Sequence, residues 1–132
     1  MPIICDTHAL LFWADTPQRL GAVGRQTMAD AAERGDLACC TISLWEVAML
    51  HAKGRITLTS NNAAAYLDDI VSALNLQVLP ITPRIAQRTQ SADFVHSDTA
   101  DRIIAATALE WRAPLITADE QLHRLPGLHC IW

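Results

Sequence analysis

Along this chain short apolar runs alternate with longer stretches in which apolar residues recur every three or four positions. The short runs at 2–5, 37–40, 76–80, 115–117 and 128–132 are nearly uninterrupted by polar residues. A strand with one wet face alternates apolar and polar, so continuous runs predict strands covered on both faces. Between them the period changes. The segment after Asp6 is apolar almost all round (Ala9, Leu10, Leu11, Phe12, Trp13), and 23–34 reads as a helix closing on Gly35. Within 62–74, Tyr66, Leu67, Ile70, Val71 and Leu74 share one face of a 3.6-residue repeat. Thr82-Pro83 is a cap followed by a proline at the first helical position. Ile103, Ile104, Thr107, Ala108 and Trp111 make a second stripe over 99–112, which Pro114 brings to an end. Strand–helix alternation predicts an α/β fold: a single-domain three-layer α/β/α unit over 1–132 with a central, mostly parallel five-stranded sheet. At this length there is no room for a second domain.

Composition adds a partner to that picture. Counted without Tyr and with Gly, the apolar share is roughly 54%, against about 45–50% for ordinary domains. Charged residues are 18% where about 25% is usual. A small domain this apolar is expected to hide surface against another protein. It is not expected to span a membrane, because no run approaches about 18 apolar residues, and the same composition excludes disorder. Met1-Pro2-Ile3-Ile4-Cys5-Asp6 lacks the basic start of a signal peptide, so the expected location is cytoplasmic. Cys5, Cys39, Cys40 and Cys130 form no C-x-x-C pair and read as small core residues, not a zinc site or disulfide framework. A net charge of −4 excludes a basic protein that coats nucleic acid.

The chemistry lies in where the acids fall. In open parallel sheets ligands bind beyond the carboxyl ends of the strands. Asp6 directly follows the first run, Glu46 lies in Thr41-Ile42-Ser43-Leu44-Trp45-Glu46 after the second, and Asp119 follows Leu115-Ile116-Thr117-Ala118. Asp98 and Asp101 open the helix striped by Ile103, Ile104 and Trp111. A plainer reading stands beside this one. Ser43-x-x-Glu46 and Thr117-x-x-Glu120 have capping-box spacing, and Asp98 suits an N-cap, so each acid alone could simply cap a helix. Capping does not require every acid to gather at one sheet edge, nor explain an acid set among Ile3, Ile4, Leu10 and Leu11. Clustered carboxylates repel unless a cation neutralises them. An all-oxygen set suits Mg²⁺ or Mn²⁺, and such centres act on phosphate esters.

Asp6-Thr7-His8-Ala9-Leu10-Leu11, Ser43-Leu44-Trp45-Glu46, His96-Ser97-Asp98-Thr99-Ala100-Asp101-Arg102-Ile103-Ile104-Ala105-Ala106 and Leu115-Ile116-Thr117-Ala118-Asp119 resemble the four acidic motifs of the PIN domain. The likeness is greatest to the VapC-type toxin ribonucleases of bacterial toxin–antitoxin pairs, and it runs in order along the whole chain. It implies a catalytic and metal-holding quartet of Asp6, Glu46, Asp101 and Asp119, with Asp98 auxiliary and the hydroxyls of Thr7 and Thr117 beside them. It implies one or two Mg²⁺ or Mn²⁺ ions, an RNA substrate and a small antitoxin protein covering the site, commonly with a basic side chain. A homodimer, or a higher toxin–antitoxin oligomer, is implied as well. One departure is Thr99, where relatives often carry Pro; it touches the helix start and no ligand.

Other residues have two readings. Arg102 either pairs with Asp98 one turn away or contacts RNA phosphate. His8 and His96 flank acidic motifs but lack a second His or Cys at ligand spacing, so they read as orienting or surface residues. Lys53, Arg55, Arg84 and Arg88 are candidates to hold RNA, while Trp13, Trp45, Phe12 and Tyr66 read as core or interface. The loops 53–62 and 89–97 would shape target choice and carry no readable code. The all-apolar first helix and the Tyr66–Leu74 face are the candidate owners of the apolar excess. Two rival enzyme classes fail: a dehalogenase-type phosphatase needs an acid where His8 stands, and a receiver domain needs a late Lys, whereas the sole Lys is Lys53. The alternative that survives is a non-catalytic PIN-like module that only binds an antitoxin or RNA.

Overall fold

The uninterrupted apolar runs become strands with two covered faces. In the computed structural model, which describes residues 1–94 and 98–132, β1 (Ile3–Cys5), β2 (Leu37–Cys40), β3 (Gln77–Leu79), β4 (Leu115–Ile116) and β5 (Cys130–Ile131) form one sheet in the order β3-β2-β1-β4-β5. Every pairing is parallel, with Ile4 opposite both Ala38 and Leu115, and Ile116 opposite both Cys5 and Ile131. Each strand is a few residues shorter than its apolar run or equal to it, because a parallel ladder ends where the chain turns into a helix.

The helices are α1 (Thr7–Asp15), α2 (Ala22–Arg34), α3 (Thr41–Ala52), α4 (Ala63–Ala73), α5 (Pro83–Arg88), α6 (Thr99–Trp111) and α7 (Glu120–His123). Strand side chains point alternately to opposite faces. Cys5, Leu37, Cys39 and Ile116 enter a core with Leu10 of α1, Met28 of α2, Val47 of α3 and Ile70 of α4. Ile4, Ala38, Cys40 and Leu115 enter a second core with Ile85 of α5, Ile104 of α6 and Leu122 of α7. The three expected layers are present. Three of the four cysteines are buried, Cys130 is half-buried, and all are free thiols.

The stop signals act where the sequence puts them. Gly35 adopts φ +73° and its N–H caps α2 through Ala31 and Ala32. Thr82 accepts the N–H of Ile85 ahead of Pro83. The apolar faces of α1 and α4 are mostly consumed inside the chain: Leu10, Leu11, Tyr66 and Ile70 are buried, and Phe12, Trp13, Leu67 and Val71 pack on the same core. Among the described residues, the large apolar side chains left on the surface are Met1, Val23, Trp45, Ile81 and Trp111. Trp132, uninformative in the sequence, packs its backbone over the start of α2, where its carbonyl accepts the N–H of Gly24 at 2.7 Å. No helix among the described residues is long and apolar enough to cross a membrane.

Candidate functional site

The strand order reverses direction at β1. From there the chain moves outward to β2 and β3, then returns to lay β4 on the other side of β1. Connections that leave in opposite directions open a crevice beyond the carboxyl ends of the two central strands. Asp6 follows β1, and Asp119 stands three residues beyond the end of β4.

Asp6 is 8% exposed and is the N-cap of α1, its Oδ1 accepting the Ala9 N–H at 2.8 Å. Capping therefore does explain part of this acid, contrary to the sequence expectation. Burial raises its pKa, the Thr117 hydroxyl and the Ala9 N–H pull it back, and Asp119 raises it further. Thr117 is fully buried, and its Oγ1 also accepts the N–H of Asp119 at 3.1 Å. Asp119 in turn caps α7 through Leu122 N–H at 3.0 Å. The cap of α7 is thus Asp119, not Thr117.

Glu46 departs from its expected place. Helix α3 begins at Thr41 straight out of β2, with Cys40 at its N-cap and no side-chain capping bond. Ser43 and Glu46 therefore lie inside the helix, and they form no capping box. Glu46 is 7% exposed, with its pKa raised first by burial, lowered by a hydrogen bond from Thr7, then raised by the charges of Asp98 and Asp6. The Thr7 and Ser43 hydroxyls are bonded to each other at 3.0 Å, both buried. A carboxylate held this deeply inside a helix, away from the helix start, has no capping role to perform.

Asp98 caps α6, accepting the Asp101 N–H at 2.9 Å, so the two acids are joined across the first turn. Asp119 raises the pKa of Asp6, and Asp98 and Asp6 raise that of Glu46. His8, two residues after Asp6 in the first turn of α1, also acts on both buried acids and lowers both. Arg102 is tied back to the fold: its Nη2 donates to the Thr89 carbonyl at the end of α5, and its Nε is buried without a partner. Arg84 and Arg88 are both spent on Glu110, at 2.7 and 2.8 Å. His96 lies outside the described residues. His123 was missed by the sequence reading; its Nε2 lies 2.6 Å from the Thr117 carbonyl, behind the rim. Nothing in its spacing marked it.

Donor chemistry at this edge fits a hard divalent cation. It offers carboxylates from separate elements, two of them buried with raised pKa and opposed by no Lys or Arg among the described residues. Also among the described residues, no three His, Cys, Asp or Glu side chains already form a metal-holding group. The acids line a rim and do not close into a cage, as expected of like charges that repel.

A family model for the PIN domain matches residues 3–128. Ribonuclease VapC22 of Mycobacterium tuberculosis is 32% identical over 133 residues, covering 98% of each chain. Among solved structures, VapBC2 from Rickettsia felis bound to a DNA fragment from their promoter superposes with a TM-score of 0.74 at 16% identity, covering 99% of this chain and 98% of that one. VapBC from Salmonella typhimurium bound to DNA gives a TM-score of 0.70 at 16% identity, covering 99% and 97%. At that identity these two likenesses speak for the fold.

Proposed function

The chain belongs to the PIN-domain family, and from that premise we propose that it is a Mg²⁺- or Mn²⁺-dependent endoribonuclease toxin neutralised by a small cognate antitoxin. One observation carries the reading. Asp6 and Glu46 are buried carboxylates on different elements at the sheet's carboxyl edge, each made harder to ionise by burial and by neighbouring acids. A pair so placed costs stability in the folded chain and makes sense as part of a cation site. Similarity to the Mycobacterium tuberculosis ribonuclease supports ribonuclease chemistry, and likeness to the VapBC complexes supports an antitoxin partner.

In this reading Asp6, Glu46, Asp101 and Asp119 hold one or two ions, with Asp98 beside them. A divalent ion held there would supply Lewis acidity and make water easier to deprotonate. The chain's own work is orientation. Ala9 N–H and the Thr117 hydroxyl fix the Asp6 carboxylate, and Thr7 fixes Glu46. These contacts leave only limited rotation to either acid, so the ligand geometry is set before substrate arrives. The whole chain acts as one domain and assembles as a homodimer.

The test is cleavage of a panel of structured RNAs by purified protein with Mn²⁺, beside Asp6→Asn and Asp101→Asn. Cleavage should disappear in both variants and in excess chelator. Cleavage that persists unchanged under any of these conditions overturns the proposal.

A further inference from the structure

Beside the acid rim lies a cleft of about 440 Å³ whose lining the acids do not explain. That volume falls in the small-ligand range, about 300–1,000 Å³. His8 joins the two places: it lines the cleft, and it stands in the first turn of α1, two residues after Asp6 at that helix's N-cap. One turn on, Phe12 also lines it, its ring centroid 6.2 Å from that of His8. The Arg19 guanidinium covers Phe12 at 4.5 Å from the ring centroid. Arg55 enters from the segment that follows α3, with Ile56 and Leu58 making an apolar wall. Neither Arg19 nor Arg55 is in an ion pair among the described residues. The cleft's one acid, Asp15, accepts the Tyr66 hydroxyl at 2.7 Å.

We propose that this cleft holds one nucleotide of single-stranded RNA next to the cleaved phosphate, with a backbone phosphate on Arg19 and Arg55 and the base against Phe12, Ile56 and Leu58. The inference rests on the nuclease reading above. An acid rim repels an RNA backbone, so a nuclease with this centre needs cationic contacts immediately beside it, and arginine forks fit phosphate in two-pronged fashion. Aromatic rings and guanidinium planes are the surfaces on which unstacked bases rest. A base held inside a duplex cannot enter a recess of this kind, so the cleft selects single strands, loops and bulges. Seating a flanking nucleotide also positions the scissile phosphate at the rim.

The experiment measures binding apart from cleavage. A fluorescently labelled, mixed-sequence single-stranded RNA and its paired duplex are titrated by anisotropy against protein carrying Asp6→Asn, so that nothing is cut. Arg19→Gln and Arg55→Gln, each added to it, should raise the single-strand Kd about tenfold. Each should also reduce the slope of log K against log salt by about 0.7, with smaller changes on the duplex. Arg25→Gln, an exposed arginine of α2, should leave both quantities unchanged and so exclude a general charge effect. Melting temperatures establish that each variant folds, and Arg55→Gln keeps the test open if loss of the Phe12 contact unfolds Arg19→Gln. Unchanged Kd and slope in folded variants overturn the proposal, as does an equal loss on duplex and single strand. Unchanged RNA binding with a weakened grip on the cognate antitoxin overturns it too, by making the cleft a protein-docking groove. Wild-type protein that binds RNA through these arginines and never cleaves it would instead sink the nuclease reading and leave the cleft assignment intact.

Discussion

Thr117 ties Asp6 to Asp119: its Oγ1 accepts the Asp119 N–H at 3.1 Å, and its hydroxyl donates to the Asp6 carboxylate. The side chain is fully buried and Asp6 nearly so, so the Asp6 carboxylate gains little from water if the hydroxyl is lost. Thr117→Val keeps the shape and removes both bonds. It should cost about 1–3 kcal/mol of stability and lower RNA cleavage about 10–100-fold, while Thr117→Ser restores most of each. Denaturant unfolding and initial rates measure the two effects. A Val variant as active as wild type would show that the rim does not depend on this bridge.

Ser43 offers a parallel test on the other wall. It is fully buried and bonded to Thr7, which holds Glu46. Ser43→Ala should leave the helix intact and reduce cleavage about tenfold by loosening Glu46. Far-ultraviolet circular dichroism and initial rates check the two halves of that statement.

Stability should respond to pH and metal together. Burial, reinforced by neighbouring acids, raises the pKa of both Asp6 and Glu46 in the folded chain. Between the ordinary carboxylate range near about 4 and the raised values, the folded state binds more protons than the unfolded one. Stability contributed by these groups therefore increases as pH falls through that window. Glu110, lowered chiefly by its Arg88 bond, acts oppositely and further to the acid side. In chelator, wild type should gain melting temperature relative to Glu46→Gln as pH falls from about 7 toward 5. Saturating Mn²⁺ should raise the melting temperature at neutral pH and flatten the gain. Parallel pH profiles for wild type and Glu46→Gln in chelator would contradict this.

Two glycines of α2 separate close approach from mere smallness. A Cβ on Gly21 would sit 2.6 Å from the Trp132 carbonyl carbon, and on Gly24 3.4 Å from Trp132 and Ile116. Gly21→Ala should destabilise by about 1–3 kcal/mol, because backbone must move. Gly24→Ala should fall near neutral, since helix propensity offsets the tighter contact by about 1 kcal/mol. Equal effects in thermal melts would refute the distinction.

The layers and the sheet's parallel sense were legible because a strand buried on both sides must be apolar at every position, and the runs around Ile4, Cys39 and Leu115 are. The position of Gly35 and the Thr82-Pro83 start were legible for a similar reason: each serves one backbone geometry. Glu46 was legible as an acid beyond a strand, but its depth in α3 was not, because Ser43-x-x-Glu46 reads equally as a cap one turn earlier. The fate of Arg102 depended on where α5 ends in space, which its own helix cannot encode. How much of the α1 and α4 faces the chain itself covers was not legible, because periodicity reports that a face is apolar and says nothing of what covers it. His123 and Trp132 act through main-chain partners, and such contacts leave no mark in residue type.

The neighbouring positions of β1 and β4 have a consequence for the chain as it is made. Asp6 is synthesised ahead of both flanking helical layers, whereas its neighbour across the crevice, Asp119, arrives only after them and the return strand β4. Such long-range pairing forms late, once loop closure has been achieved. The acid rim is therefore completed last, and on the proposed nuclease reading a chain truncated before β4 would lack Asp119 and be inactive.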